Sequence, residues 1–426
     1  MEIKKLKSFL FKETSAAPLI VFRIAFGVMM FLSLIRFAAN GWIDSLYVQP
    51  KFFFAYYGFE WIKPLNATGM YIVFGLIMLA ALGIAAGFLY RFSALIFFLL
   101  FTYVELLDKT NYLNHYYFIS IISLLMCLLP ATKKVVPRWA ILTLQLQMAI
   151  VYFFAGIAKI NADWLLNAMP LKVWLPTRTD IPFGFLLDET LVAYIFSWCG
   201  MLFDVSIAFF LFNRKTVWYA YAVVILFHAI TATLFPGIGM FPFIMIVCAT
   251  IFLPAQFHEK LLRIFKFNRE EQISGSQTHK VSQFQYVRVS VLVVHFIIQL
   301  VLPFRHALYT NNLFYTEQGY RFSWRVMLME KAGLVFFLVK NADGKLIEVN
   351  NRNFLTAQQE KQMSTQPDMI LQFAQFLKTQ YNTNEVYAEA YVSVNGKGSR
   401  LFIDPYRNLC EVKESFENKN WVLAAK

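Results

Sequence analysis

Long apolar runs separated by short polar connections fill the chain up to residue 305. The runs cover about 18–38, 69–89, 92–107, 114–130, 138–159, 189–212, 216–234, 238–254 and 286–304, each close to the ~20 residues that a bilayer asks of a helix. They predict a polytopic α-helical membrane protein with about nine transmembrane helices, the second and third joined by a tight hairpin at Tyr90–Arg91. Ahead of them, Met1–Ser15 sets Lys4, Lys5, Lys7 and Lys12 around Leu6, Phe9, Leu10 and Phe11, the pattern of a basic interfacial helix. The run that follows is too long for a cleaved signal peptide and no cleavage site closes it, so it is the first span. The segment 267–284, rich in Glu, Gln, Ser and Asn, reads as a polar inner loop.

After residue 305 the period changes. Leu334–Val349 reads as a hairpin turning at Asp343–Gly344. Thr356–Tyr381, with Met369, Leu371, Phe373, Phe376 and Leu377 among glutamines, reads as helix. Val386–Ile403 alternates again, interrupted at Asn395–Gly398. The expected organisation is an interfacial segment 1–17, a transmembrane domain 18–305 carrying the active site, and a small α+β domain 306–426 on the outer face.

Composition excludes a soluble protein: of 426 residues 58% are hydrophobic, 15% are charged and 46 are Phe. The net charge of +13 does not point to nucleic acid, because the basic residues sit mostly in short loops between apolar runs. Lys133, Lys134, Arg138, Arg214, Lys215, Lys260, Arg263, Lys266, Arg269 and Lys280 fall in alternate loops, against Lys51, Lys63, Lys109, Lys172 and Arg178 in the others. The asymmetry orients the N-terminus to the cytoplasm, and an odd number of spans then puts the C-terminal domain outside. The four cysteines are scattered, with no disulfide framework and no metal spacing.

Candidate chemistry collects where polar residues intrude at the outer ends of spans. Lys159 closes the fifth run, and stepping back at helical spacing gives Ala155, Tyr152, Met148 and Gln145, an inward face of small and polar groups. An ammonium there costs roughly 2.5–3.5 kcal/mol at a helix centre, so Lys159 calls for a partner, a cavity or neutrality. A snorkelling lysine paired with Asp163, one turn on, is the plain alternative. Asp108 through His115 stands at the outer start of the fourth span, and His228 in the outer half of the seventh. Singly, Asp108 reads as a solvated charge, His115 as a cap beside Asn114, and His228 as a hydrogen-bonded interior histidine. Together, two histidines and a lysine at one depth are costly to keep without use. Asp204, in the sixth span, is a structural partner by this reading rather than a reactant.

The residues also carry a resemblance. Asp108-Lys-Thr-x-x-x-Asn-His115, the run Ile150–Trp164, Phe203-Asp204-Val-Ser206 and Phe227-His228 followed by Leu234-Phe235-x-x-Ile238-Gly-Met-Phe241 resemble the vitamin K-dependent γ-carboxylase family. The likeness continues through Gly319-Tyr-x-x-Ser323-Trp324-x-x-Met327 and Val392-Ser-Val-Asn395 to Phe402-x-Asp404-Pro405. One lysine of the pair found in animal members is Ala158 here, while Lys159 matches the one assigned as catalytic base.

The resemblance implies an enzyme that oxygenates reduced vitamin K (phylloquinol or menaquinol) with O2 to the epoxide. The basic alkoxide formed on the way removes a γ-proton from a glutamate, which then takes up CO2. It implies Lys159 as base, His115 and His228 bound to the quinone oxygens, Asn114 orienting one of them, and Asp163, Asp108, Asp204 and Trp324 in support. An apolar pocket suits a neutral amine, because the charged form is poorly solvated there. The implied partners are the lipid bilayer, the quinone, a quinone reductase and a glutamate-containing peptide or protein; no metal is implied. The chain is much shorter than animal members and lacks their propeptide-gripping region, so a bacterial inner-membrane protein is expected. Quinol epoxidation is the favoured activity, with glutamate carboxylation as its extension. A quinol epoxidase without carboxylation, a transporter and a scaffold remain as alternatives.

Overall fold

The computed structural model describes residues 2–265 and 283–423, without the side chains of Glu2 and Ile3. The expected polar loop therefore lies almost wholly outside the described residues, as do Lys266, Arg269 and Lys280. A basic amphipathic helix, α1 (Glu2–Phe11), leads into strand β1 (Glu13–Ser15), which pairs antiparallel with β2 (Val135–Pro137). Long apolar helices follow: α2 (Ala17–Ala39), α3 (Ala67–Ala86), α4 (Tyr90–Leu107), α5 (Asn114–Leu128) and α6 (Arg138–Ala158). After two short helices, α7 (Ala162–Leu165) and α8 (Leu171–Trp174), come α9 (Thr190–Phe212), α10 (Val217–Leu234), α11 (Phe241–Ala249), α12 (Ala255–Ile264) and α13 (Gln283–Val301).

Each predicted span is helical; among the described residues seven helices are long and apolar enough to cross a membrane, or eight if the bent pair Phe241–Phe252 and Ala255–Ile264 is one span, against about nine expected. The fourth predicted span, α5, has only 15 residues. At 1.5 Å per residue it is about 22 Å long, short of the ~30 Å hydrocarbon layer. The eighth breaks by 111° after Phe252, where Pro254 cannot continue the backbone ladder, and α12 turns away as an amphipathic helix.

Local chemistry fixes the ends of these helices. Asn66 caps α3 by accepting from the Gly69 N–H at 2.8 Å. At the other end Gly87 adopts φ 76°, and a Cβ there would lie 2.6 Å from the guanidinium of Arg23. That arginine, buried in α2, donates to the Ile84 and Ala85 carbonyls and so satisfies the open end of α3.

The C-terminal region begins with α14 (Leu313–Thr316) and holds an antiparallel sheet in the order β4–β3–β5–β6, where β3 is Lys331–Lys340, β4 Leu346–Val349, β5 Val386–Val394 and β6 Arg400–Leu401. Val386, Ala388, Ala390, Val392 and Val394 alternate inward along β5 and pack on Met369, Phe373 and Leu377. The helix predicted over Thr356–Tyr381 is two, α15 (Ala357–Met363) and α16 (Pro367–Gln380). Pro367 lacks the amide and begins a new helix, while a Thr356–Gln359 capping box starts the first. Phe54, from the α2–α3 connection, is buried in this second core. The region stands at the end of the bundle opposite α1; Lys12, just after α1, accepts through its carbonyl from the Arg138 amide at the start of α6.

Candidate active site

Lys159 is the C-cap of α6, buried with 6% of its surface exposed. Its Nζ lies 2.8 Å from Asp204 Oδ2 on α9, donates to the Ala155 and Val326 carbonyls at 3.3 and 3.4 Å, and stands 5.2 Å from the centre of the Trp164 ring. The Trp164 indole donates to the Ser197 carbonyl, which fixes the ring against α9. Helix spacing within α6 brings Val151, Tyr152, Ala155 and Lys159 to one face. Gly156 lets α9 come close: a Cβ there would lie 2.6 Å from the Val205 amide nitrogen.

The alternative pairing of Lys159 with Asp163 does not form. The α6 helix ends at Ala158 and Asn161 caps a new helix, so the one-turn spacing is lost between them. Asp163 instead accepts from Asn395 Nδ2 at 2.9 Å and pairs with Lys397 at 3.2 Å, tying the turn after β5 to the bundle.

The Lys159 side chain enters a cavity of about 280 Å³. Apart from Lys159 and Asp204 its polar lining includes His228 and Thr231; the rest is mainly Val151, Phe196, Phe227, Leu234, Phe241 and Met245. Tyr152 Oη and His228 Nε2 are 3.0 Å apart, and His228 Nδ1 is buried without a partner among the described residues. With the hydroxyl donating to Nε2, the neutral ring carries its proton on Nδ1 and has a free donor. His115 does not line this cavity; it packs on Phe241, ring centres 5.9 Å apart, and His228 also meets Phe241, at 5.8 Å. The two histidines therefore share one aromatic neighbour.

Other sequence-predicted residues fall elsewhere. Asn114 donates to the Arg325 carbonyl at 2.8 Å and accepts from the Tyr112 hydroxyl at 3.0 Å, so it anchors a chain crossing. Asp108 is not a solvated charge: its carboxylate accepts from Thr110 and from Gln359 Nε2, the latter at 2.7 Å, and it is 1% exposed. Trp324 is fully buried against Tyr117, ring centres 4.8 Å apart, and stands behind the cavity wall rather than in it. That wall is Val326–Met327, which sequence reasoning did not assign to the site. Phe322, Trp324 and Met327 all take positive φ, a cluster of backbone strain at the site that side-chain pattern does not reveal.

A second cleft, of about 630 Å³, lies on the other side of the α6 end. Phe154, Ile157 and Ala158 face it, as do Asp163, His306, Arg325 and Lys397. The two spaces are divided by the last turns of α6 and by residues 323–327. No group of His, Cys, Asp or Glu able to hold a metal occurs among the described residues.

The HTTM domain family matches residues 11–257, and the lumenal domain family of vitamin K-dependent gamma-carboxylase matches residues 284–426. No solved structure matches the chain. The buried lysine, the cavity and the C-terminal sheet thus sit on an integral-membrane chain that belongs to the vitamin K-dependent γ-carboxylase family.

Proposed function

We propose that the cavity beside Lys159 binds the ring of a reduced naphthoquinone and that the protein oxygenates it to the epoxide. The observation that carries this reading is the Lys159–Asp204 pair, 2.8 Å apart at the edge of an otherwise apolar cavity that also holds His228. When bound, the quinol supplies the reaction with O2 and the strong base that follows from it. Asp204 would take a proton from the Lys159 ammonium as Lys159 takes one from a ring hydroxyl, so the pair ends as an ammonium beside a neutral carboxyl, with the deprotonated ring oxygen as the ammonium's counter-charge. His228, held by Tyr152, donates through Nδ1 to a ring oxygen. His115 packs on Phe241 and lies outside the cavity lining, so its part is secondary to that of His228. The apolar walls exclude water, which would otherwise quench a strong base.

Coupled carboxylation of a glutamate side chain is the fuller form of this function. Its support is the second cleft, where Arg325 offers positive charge to a carboxylate beside the Lys397–Asp163 pair. The N-terminus on the cytoplasmic side and the C-terminal domain outside complete the reading, supported by the basic residues near α1 and α12. The test uses purified protein in nanodiscs with vitamin K hydroquinone and O2, with the epoxide quantified by chromatography. Epoxide from the wild type and none from Lys159→Ala is the expected result. Folded protein that makes no epoxide from any quinol tried overturns the reading. Labelled CO2 with a glutamate peptide then decides whether carboxylation follows.

A further inference from the structure

We propose that the crevice between α9 and α10 is the binding site for the isoprenoid chain of the quinone, and that the ligand enters the cavity sideways from the bilayer through it. The inference rests on the preceding one, that the ring sits beside Lys159 and His228. Its basis is where the cavity meets the surface. Among the described lining residues Ile195, Cys199 and Ile230 are exposed, and all three belong to α9 and α10. Ile195 is 50% and Ile230 40% exposed, on helices apolar enough to face lipid. On the other sides the lining is buried or half-buried, under α6, α11 and residues 326–327.

The crevice has a floor and a gap. Phe203 and Phe227 stack across it with ring centres 3.8 Å apart and close its lower half. Above them the lining holds Gly200 and Cys199 on α9 and Thr231 and Ile230 on α10, and the small side chains at 199, 200 and 231 leave room. A Cβ at Gly200 would meet only the Trp164 ring, at 3.7 Å, so the space is unclaimed by the fold. Volume points the same way. At about 280 Å³ the cavity lies at the small end of ligand sites, roughly 300–1,000 Å³. It has room for a fused bicyclic ring and not for a long chain beside it. A polyprenyl chain must leave the cavity, and the apolar gap between α9 and α10 opens toward lipid.

Cys199 reports on the gap directly. The full chain in nanodiscs is treated with N-ethylmaleimide, and modification of Cys199 is read by mass spectrometry. A naphthoquinone bearing a long isoprenoid chain, at about ten times its Kd, is expected to slow Cys199 modification about tenfold. Dimethylnaphthoquinone, which has the ring and no chain, is expected to compete for the ring site yet leave Cys199 reactive. Filling the gap with Cys199→Trp or Ile230→Trp is expected to raise KM for the long-chain quinol about tenfold relative to the chainless one, as loss of about 1.4 kcal/mol of binding. Equal protection by both quinones, or none from a bound long-chain quinone, overturns the proposal. Protection that follows phospholipid content and not quinone assigns the gap to acyl chains and overturns it as well. Equilibrium binding of labelled quinone separates the two readings: without binding the ring site itself fails, whereas binding without protection refutes only the chain site.

Discussion

Lys159 Nζ and Asp204 Oδ2 lie 2.8 Å apart, joining the end of α6 to the middle of α9 across 45 residues of sequence. Each residue removes the other's isolated charge from an apolar setting. Deleting one partner of a buried pair typically costs 3–5 kcal/mol, while replacing both by apolar residues is often neutral. Lys159→Met and Asp204→Leu are therefore each expected to lower the unfolding temperature in nanodiscs, and the double variant to recover most of the loss. Epoxide formation should not recover, because the base is gone; a fall of about 10²–10⁴ is expected for all three. Stability and activity moving together through the whole cycle would show that the pair is only structural.

Gly156 sets how closely the pair is held. A Cβ at this position would stand 2.6 Å from both the Val205 amide nitrogen and its Cγ2, so α6 and α9 must separate to admit one. Gly156→Ala should destabilise by about 1–3 kcal/mol as an overpacked contact, and Gly156→Val by more. Because Asp204 moves with α9, the rate of epoxide formation should drop further than folding alone accounts for. Thermal unfolding and turnover measured on the same nanodisc samples separate the two effects.

The Tyr152–His228 contact makes a graded case. Tyr152→Phe removes one hydrogen bond, 3.0 Å long, and leaves His228 Nε2 without its partner. A net value of about 0.5–1.5 kcal/mol for such a bond corresponds to a rate or affinity change of roughly two- to twelvefold. His228→Ala should cost more, since it removes the donor itself. Quinone affinity by equilibrium binding, compared with turnover, assigns the loss to binding or to the chemical step.

Much of this was legible in the sequence because bilayer chemistry is strict. A lysine at the end of an apolar run and a lone carboxylate inside the 23-residue helix α9 each announce that a partner is needed. Which partner Lys159 takes was not legible, because spacing along the chain favoured Asp163 and the unwinding after Ala158 cancels that spacing. The partner of Asp108 was not legible either: Gln359 lies in the C-terminal sheet-and-helix unit, out of reach of any local pattern. Trp324 was singled out by resemblance, but the part of Val326–Met327 as cavity wall was not legible, since the positive φ at Phe322, Trp324 and Met327 is a backbone feature that bulky side chains do not advertise. Hydropathy found every apolar run but not where its helix stops: among the described residues α5 is short and Pro254 breaks the eighth run.

The C-terminal unit is fastened to the bundle by charge, and this gives a pH dependence. Asp368 at the start of α16 lies 2.9 Å from Lys109 and 2.8 Å from Arg321, the residue that leads into the segment lining the cavity. Burial alone would raise the Asp368 carboxyl, but the Arg321 guanidinium and the Lys109 ammonium hold it well below the usual carboxylate range. A carboxylate depressed in the folded state stabilises fully above its unfolded value, about 3.9, and that contribution is lost as pH falls through the folded value. The unfolding temperature of the wild type should therefore decline on acidification below about pH 4, with a steeper slope than in Asp368→Asn. At neutral pH the same variant should be less stable by about 3–5 kcal/mol, because Lys109 is left buried beside a neutral amide. The 320–328 segment should show faster amide exchange in the variant, and the quinol reaction should slow with it. Identical acid profiles for the two proteins would mean that this ion cluster does not hold the unit in place.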